Sequence, residues 1–118
     1  APGAGALPVY VEVKSVTLSR RPGLGEFPDA RTARGARHLA ELAALAESGA
    51  ARAMLIYAVM RGDAARVDVA ADIDPAYAAA LDAARAAGVG VLALGFEATP
   101  RGIGFTGLLP VAGSASGR

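Results

Sequence analysis

Hydrophobic and polar residues alternate through the first patterned segment of the chain, residues 9–18. Three valines fall on one side of the alternation, and Tyr10, Glu12 and Lys14 fall on the other. A period of two predicts a β-strand with one apolar face and one face that carries these three side chains. Residues 19–31 are interrupted by Pro-Gly, a further glycine and a further proline, and this composition predicts a loop.

Two later segments have the pattern of amphipathic helices with recognisable caps. The first is predicted to run from its cap Thr32 to about Ser48. The second runs from its cap Asp74 to about Ala87, with Pro75 at the first helical position. The apolar side of the first helix consists of Leu39, Leu42, Ala43 and Ala46.

Three further segments bear on the fold class. Residues 53–59 form a continuous apolar run, which is typical of a strand covered on both faces. Residues 89–98 predict another strand and residues 103–106 a short last one, whereas residues 64–71 are ambiguous. Helices between strands require crossover connections. The order therefore predicts an α/β fold in which helices flank a mixed sheet.

The composition limits the domain organisation and the location. The length of 118 residues fits one compact domain, predicted to span 9–111 between a flexible lead-in at 1–8 and a disordered tail at 112–118. The chain has no cysteine, which excludes disulfides, thiolate metal sites and cysteine nucleophiles. No stretch approaches the roughly 20 apolar residues that span a bilayer. We expect a cytoplasmic protein with no membrane partner.

The charge of the chain is nearly balanced but unevenly distributed. A net charge of +1 argues against a protein that wraps nucleic acid by bulk electrostatics. Residues 13–37 nevertheless carry six basic side chains against two acidic ones, so this segment is basic and the rest is mildly acidic. Lys14 is the single lysine in a chain whose other basic residues are arginines.

Glu12 and Lys14 are the sharpest candidates for chemistry. Two residues apart on a strand, they point to the same face. A carboxylate able to bind a divalent cation then lies beside an ammonium group able to orient water or to stabilise charge on a phosphate. The residues alone leave two interpretations open, a solvated ion pair on a sheet surface or a nuclease site.

Several motifs occur in a fixed order around this pair. They are VYVEVKSVTL at 9–18, FPDA at 27–30, T-x-R-G-x-x-H-L-x-E-L at 32–42, DIDPAY at 72–77 and LPV at 109–111. Together they resemble the central signature of the sugar fermentation stimulation protein family. The resemblance covers about residues 9–111, and several linked motifs are far more specific than any one of them.

The resemblance implies a restriction-endonuclease-like, PD-(D/E)XK fold that associates with DNA and holds a magnesium-dependent nuclease site. By position, Glu12 and Lys14 match the catalytic E-x-K pair. Glu12 and the loop acid Asp29 are the candidate metal ligands. Thr32, Arg34 and His38 match the helix expected to contact nucleic acid near that site.

One departure from the family pattern affects these expectations. Family members are about twice as long, with an amino-terminal OB-like domain and a strand that carries the first acid of the motif. The residues before Val9 contain no acid. We therefore expect a fold that is incomplete at its amino terminus, impaired catalysis, and an OB-like half as a partner. An unpaired first strand would also favour self-association.

Other interpretations remain open beside the nuclease. The chain could be a non-enzymatic DNA-binding or regulatory module linked to sugar (maltose) metabolism, or a fragment that needs its other half to fold. His38 could be structural or could contact phosphate, and Arg34 one turn earlier could join it. Asp72 and Asp74 are most simply turn and cap residues, and Arg20 is most simply a solvated loop charge.

Overall fold

A computed structural model describes residues 7–112 of the chain. Most of the predicted lead-in (1–6) and of the predicted tail (113–118) lies outside the described residues. In chain order the elements are β1 (Val9–Val16), β2 (Leu18–Arg21), β3 (Leu24–Phe27), α1 (Ala33–Ser48), β4 (Arg52–Val59), β5 (Arg66–Val69), α2 (Pro75–Ala86), β6 (Gly90–Thr99) and β7 (Gly102–Leu109).

The strands form two sheets. The larger has the order β1-β4-β6-β7, in which β1, β4 and β6 are parallel and β7 is antiparallel to β6. The smaller has the order β2-β3-β5. The predicted α/β fold with a mixed sheet is confirmed. No helix among residues 7–112 is long and apolar enough to cross a membrane.

Both helices begin at the predicted caps. The hydroxyl of Thr32 accepts a hydrogen bond from the Arg34 backbone N–H, 3.2 Å away, at the start of α1. The buried carboxylate of Asp74 accepts one from the backbone N–H of Tyr77 at the start of α2. The second oxygen of Asp74 accepts the Thr32 backbone N–H at 3.2 Å. One carboxylate therefore holds the first turns of both helices together.

The main core lies between the larger sheet and the helices. Alternate residues of β4 point into it, and Leu39 and Leu42 of α1 are buried there as the helical pattern predicted. The hydroxyls of Tyr57 and Tyr77 meet at 2.7 Å in this core. Phe27 packs against both rings, with centroid separations of 5.5 and 5.3 Å.

The predicted loop at residues 19–31 is in part wrong. Its first half is a hairpin, in which β2 pairs with β3 around a turn where Gly23 has φ +77°. Proline and glycine therefore close a hairpin there, since a positive φ is accessible to glycine without steric cost. Residues 66–69, in the ambiguous segment, form β5, which pairs in parallel with β3.

The structure shows which face of β1 meets the helices, which its alternation did not determine. Val9, Val11 and Val13 are exposed, whereas Glu12 and Lys14 are half-buried on the side that faces the helices. The strand register explains this, because Lys14 is paired with Tyr57 and Val16 with Val59, both of which lie in the core. Residues paired in register share a face of the sheet.

Candidate functional site

Strand β1 and helix α1 bring three chemistry-bearing side chains together. The Nζ atom of Lys14 lies 3.1 Å from Oε2 of Glu12. The Nδ1 atom of His38 lies 3.2 Å from Lys14 Nζ and 3.3 Å from the same Glu12 oxygen. We call Glu12, Lys14 and His38 the edge-strand cluster.

The local folding of two elements places this cluster. The strand period puts Glu12 and Lys14 on one face of β1, as the alternation predicted, and pairing with β4 turns that face towards the helices. His38 precedes Leu39, whose burial in the core fixes the rotation of α1. Because β1 is an edge strand, the cluster stays partly open, with side-chain exposures of 34% for Glu12, 19% for Lys14 and 24% for His38.

The electrostatics of the cluster favour an ionised Glu12. The hydrogen bond from Lys14 lowers the pKa of Glu12, partial burial opposes this, and the charges of Lys14 and His38 lower it further. Both neighbours contact Oε2. Among residues 7–112 no hydrogen bond is donated to Oε1 of Glu12. One carboxylate oxygen is therefore held in place, and the other is available to a ligand.

The position of Lys14 defines how a neutral His38 is arranged. An ammonium group only donates, so Nδ1 of the neutral imidazole accepts from Lys14 Nζ. The ring proton is then on Nε2. This nitrogen makes no hydrogen bond with the described residues and can donate to an external acceptor such as a phosphate oxygen.

Beneath the cluster lies the tyrosine pair. Tyr57 is in register with Lys14, and burial raises the pKa of its hydroxyl to about 12. Burial also raises the pKa of the Tyr77 hydroxyl. The neighbouring Tyr57 and the negative charges of Asp74 and Glu12 raise it further. Both hydroxyls therefore stay neutral at physiological pH. The amino-acid sequence alone does not reveal this pair, because Tyr57 lies in an apolar run and only the fold places it beside Lys14.

The other predicted site residues are less closely grouped. Arg34 is exposed in the first turn of α1, one turn before His38, and its side chain forms no ion pair with the described residues. Thr32 caps α1. Asp29 is exposed in the loop before α1, and its side chain makes no hydrogen bond or ion pair with the described residues. Residues 7–112 contain no group of three His, Cys, Asp or Glu side chains that could hold a metal ion.

A second charged cluster corrects the prediction for Arg20. Its guanidinium donates to both oxygens of Glu26, with Nε–Oε1 at 3.0 Å and Nη2–Oε2 at 2.8 Å. It also donates to both oxygens of Asp72, at 2.7 and 2.9 Å. Arg20 is thus a paired side chain rather than a solvated loop charge. We call Arg20, Glu26 and Asp72 the Arg20 cluster.

Comparisons with known proteins add to this geometry. Residues 4–102 match the family model "Sugar fermentation stimulation protein RE domain". The sugar fermentation stimulation protein homolog of Ruegeria sp. (strain TM1040) is 58% identical over 101 residues, covering 86% of this chain and 43% of the homolog. That of Ectopseudomonas mendocina (strain ymp) is 55% identical over 105 residues, covering 88% of this chain and 44% of the homolog.

A solved structure is similar over most of the chain. The structure of Pyrococcus furiosus SfsA in complex with Ca²⁺ superimposes with a TM-score of 0.83 at 34% sequence identity. The match covers 88% of this chain and 45% of the other. The chain therefore spans less than half the length of these relatives.

Proposed function

The chain belongs to the sugar fermentation stimulation protein family, and from this membership we propose that it is a nuclease-like, DNA-associated domain with a restriction-endonuclease-like fold. The chemistry proposed is metal-dependent cleavage of a phosphodiester in DNA or RNA. The observation that carries the proposal is the edge-strand cluster, where a carboxylate, an ammonium group and an imidazole meet within 3.1–3.3 Å at an open edge of the sheet.

A divalent cation fits the donor atoms of Glu12 in part. Its free oxygen, Oε1, is the kind of hard ligand that Mg²⁺ and Ca²⁺ prefer, and Mg²⁺ commonly binds through one or two carboxylates with water and substrate phosphates. The solved relative from Pyrococcus furiosus is a complex with Ca²⁺, which supports a divalent cation as the ligand. Asp29 stays a predicted second ligand. When bound, the ion neutralises phosphate charge and lowers the pKa of water.

The remaining residues of the site have distinct roles in this proposal. Lys14 holds Glu12 in place and donates to the charge that develops on the phosphate or to the attacking water. His38 donates from Nε2 to a phosphate oxygen. Arg34 lies one turn away, forms no ion pair with the described residues, and offers a guanidinium fork suited to a second phosphate contact. Thr32 fixes the start of the helix that carries both residues and remains a predicted contact.

We further propose that this chain alone is impaired as a nuclease. Phosphodiester hydrolysis generally needs at least two carboxylates around the cation, and the edge-strand cluster contributes one. The relatives are more than twice the length of the matched region. Full activity therefore depends on ligands from the rest of a family protein.

A non-enzymatic DNA-binding module is the second candidate function. The observation that favours it is the basic start of α1 and its preceding loop, where Arg31, Arg34 and Arg37 are all exposed. Such side chains bind phosphates without chemistry, and binding of this kind weakens steeply with added salt. DNA binding without cleavage, lost in Arg34→Ala and retained in Glu12→Gln, identifies this function.

The decisive experiment titrates Mg²⁺ into the folded chain by calorimetry. Wild type is compared with Glu12→Gln and with the matched control Glu41→Gln, an exposed position of α1. We expect saturable binding that weakens about tenfold or more in Glu12→Gln, because the ligand loses its charge, and no change in the control. Equal binding by wild type and Glu12→Gln would falsify the role of Glu12. If neither protein binds Mg²⁺, the non-enzymatic DNA-binding module is the function that remains.

A nuclease assay with the same three proteins completes the test. Magnesium-dependent cleavage by wild type that disappears in Glu12→Gln would contradict the proposed impairment while supporting the site. Cleavage that persists in Glu12→Gln would show that the activity does not come from this cluster.

A further inference from the structure

Helix α1 meets the ring of Tyr77 at a glycine. Gly35 is buried in the first turn of α1, and an ideal Cβ atom built on it would lie 3.0 Å from Cδ1 and 3.3 Å from Cε1 of the Tyr77 ring. Non-bonded carbon atoms are best separated by about 3.5–4.0 Å, so no side chain fits there without movement. Glycine lowers the stability of a helix relative to alanine. Gly35 therefore serves the close approach of α1 to this ring rather than the helix itself.

The Tyr77 ring is held from several sides and does not yield to an added atom. It is fully buried, and Phe27 packs against it edge to face with ring centroids 5.3 Å apart. Its hydroxyl is bonded to that of Tyr57 at 2.7 Å, and its backbone N–H donates to Asp74 at 3.0 Å. Close-packed interiors transmit strain rather than absorb it. An atom added at Gly35 therefore moves α1 and not the ring.

The same ring is linked to the strands that carry the edge-strand cluster. Tyr57, its hydroxyl partner, lies on β4 in register with Lys14 of β1, so both side chains project from one face of the sheet. The negative charge of Glu12 is close enough to contribute to the raised pKa of Tyr77. The two tyrosines thus lie in the core between that face and α1, where they act as a spacer between β4 and the helix.

His38 is the residue of α1 that this spacing affects most directly. It follows Gly35 by three residues, and residues three apart lie on the same side of a helix. Burial of Leu39 fixes the rotation of the helix, but its distance from β1 needs another contact. The Nδ1 atom of His38 lies 3.2 Å from Lys14 Nζ and 3.3 Å from Glu12 Oε2. Because a separation of about 3.6 Å is no longer a hydrogen bond, a small outward movement of α1 breaks both contacts.

We propose that Tyr77 is a positioning residue of the edge-strand cluster. Its ring, packed against Gly35, sets the distance between α1 and β1 at which the His38 imidazole reaches the other two members of the cluster. Chemistry requires groups held within about 0.5 Å of the productive geometry by packed neighbours. Tyr77 supplies that packing without touching a ligand. The catalytic use of this arrangement rests on the proposed function, whereas the arrangement itself can be tested without metal or nucleic acid.

Proton NMR of the 118-residue chain tests the proposal directly. The measured quantity is the intensity of the nuclear Overhauser cross-peaks between the ring protons of His38 and the side-chain methylene protons of Glu12 and Lys14, in metal-free buffer. Gly35→Ala adds one methyl group against the ring. Ala40→Ser, which adds one atom on the exposed side of α1, is the matched control. Thermal unfolding of each variant is measured separately.

In Gly35→Ala we expect these cross-peaks to lose about half of their intensity or more, because the added atom separates groups that are already near the distance limit of a hydrogen bond. They should keep their wild-type intensity in Ala40→Ser. Wild-type intensity in Gly35→Ala overturns the proposal, and so does an equal loss in the control.

Two variants of the tyrosine separate positioning from stability. Tyr77→Phe keeps the ring and should retain the cross-peaks, although loss of the hydroxyl lowers the melting temperature. Tyr77→Leu removes the ring, and the cross-peaks should weaken while the protein is still folded. A lower melting temperature in Tyr77→Leu with unchanged cross-peaks overturns the proposal, since the ring then serves stability alone. If Tyr77→Leu does not fold, Gly35→Ala decides, because its ring is intact.

This test is independent of the proposed nuclease chemistry. A chain that neither binds Mg²⁺ nor cleaves nucleic acid contradicts the proposed function and leaves the cross-peaks unaffected, since no measurement here involves metal or substrate.

Discussion

The two charged clusters of this protein contain similar groups but differ in how completely they are bonded. In the Arg20 cluster every carboxylate oxygen of Glu26 and Asp72 accepts at least one hydrogen bond from Arg20. In the edge-strand cluster Lys14 and His38 both converge on one oxygen of Glu12, and no described residue donates a hydrogen bond to the other oxygen. A carboxylate whose two oxygens both accept hydrogen bonds stabilises the fold, whereas a carboxylate with one free oxygen can also bind a ligand.

The two clusters also join different kinds of elements. The Arg20 cluster ties the β2–β3 hairpin to the turn before α2. The hydrogen bonds between the two side chains, helped by their opposite charges, raise the pKa of Arg20 and lower the pKa of Asp72 to about 2. The edge-strand cluster joins α1 to a strand with no neighbour on its outer side in the described sheet. In this protein an ion pair therefore indicates a functional site only when a carboxylate oxygen is free to bind a ligand and the pair is accessible to solvent.

The largest expected difference between the clusters is in stability. Glu26→Gln removes a nearly buried carboxylate from charge-assisted hydrogen bonds, and we expect the free energy of unfolding to fall by about 1.5–3 kcal/mol. Glu12→Gln should change it by no more than about 0.5 kcal/mol, as is usual for partly exposed positions. Urea denaturation measures both. Equal losses would remove the distinction between a structural and a ligand-binding cluster.

The tyrosine pair provides an uncharged comparison beneath the open cluster. Tyr57→Phe leaves the buried hydroxyl of Tyr77 without its partner, and we expect a loss of about 1 kcal/mol, the lower end of the cost of such a group. The double variant Tyr57→Phe/Tyr77→Phe should lose less than the sum of the single changes. Denaturation of all four proteins measures the coupling, and additive losses would show that the hydroxyls do not depend on one another.

The dependence of stability on pH should come more from the Arg20 cluster than from the edge-strand cluster. Arg20 depresses the pKa of Glu26 from its ordinary value of 4.5 and that of Asp72 from 3.8 to about 2. A depressed pKa in the folded state stabilises the protein above the ordinary value, and the stabilisation is lost as the pH falls through the folded value. Stability should therefore decrease between about pH 4.5 and pH 2.

Two matched variants check this assignment. The free energy of unfolding should depend less on pH below about 4.5 in Arg20→Met than in Lys14→Met. The reason is that Arg20 lowers the pKa of two carboxylates, whereas Lys14 lowers the pKa of one. The readout is the slope of unfolding free energy against pH, which is independent of any uniform loss of stability. A larger flattening in Lys14→Met would reverse the comparison.

The smallest expected effect concerns the ionisation of Glu12 itself. Lys14→Met should raise the pKa of Glu12 towards its ordinary value of 4.5, since the hydrogen bond from Lys14 is the main cause of the depression. Carboxyl NMR titration measures it, and Arg101→Met, an exposed position in the β6–β7 turn, serves as control. No movement after Lys14→Met would mean that His38 alone holds the carboxylate.

Local signals predicted much of this fold. Both helices begin where Thr32 and Asp74 indicated, and the alternation in β1 put Glu12 and Lys14 on one face. The pattern did not determine which face of β1 meets the helices, because that depends on pairing with β4. Likewise, no local signal links Arg20 to Asp72, which lie far apart in the sequence. The proximity of His38 to Glu12 followed from family resemblance and not from spacing.

The parallel pairing of β1 with β4 also bears on how the chain folds. Val9 pairs with Arg52 and Met54 with Gly90, so each ladder must close a long intervening segment. Closing such loops costs chain entropy before any contact offsets it, and topologies rich in distant pairings fold slowly. Helix α1 and the β2–β3 hairpin can form from neighbouring residues, but the edge-strand cluster requires the distant ladder. We therefore expect the cluster to assemble after these local elements have formed.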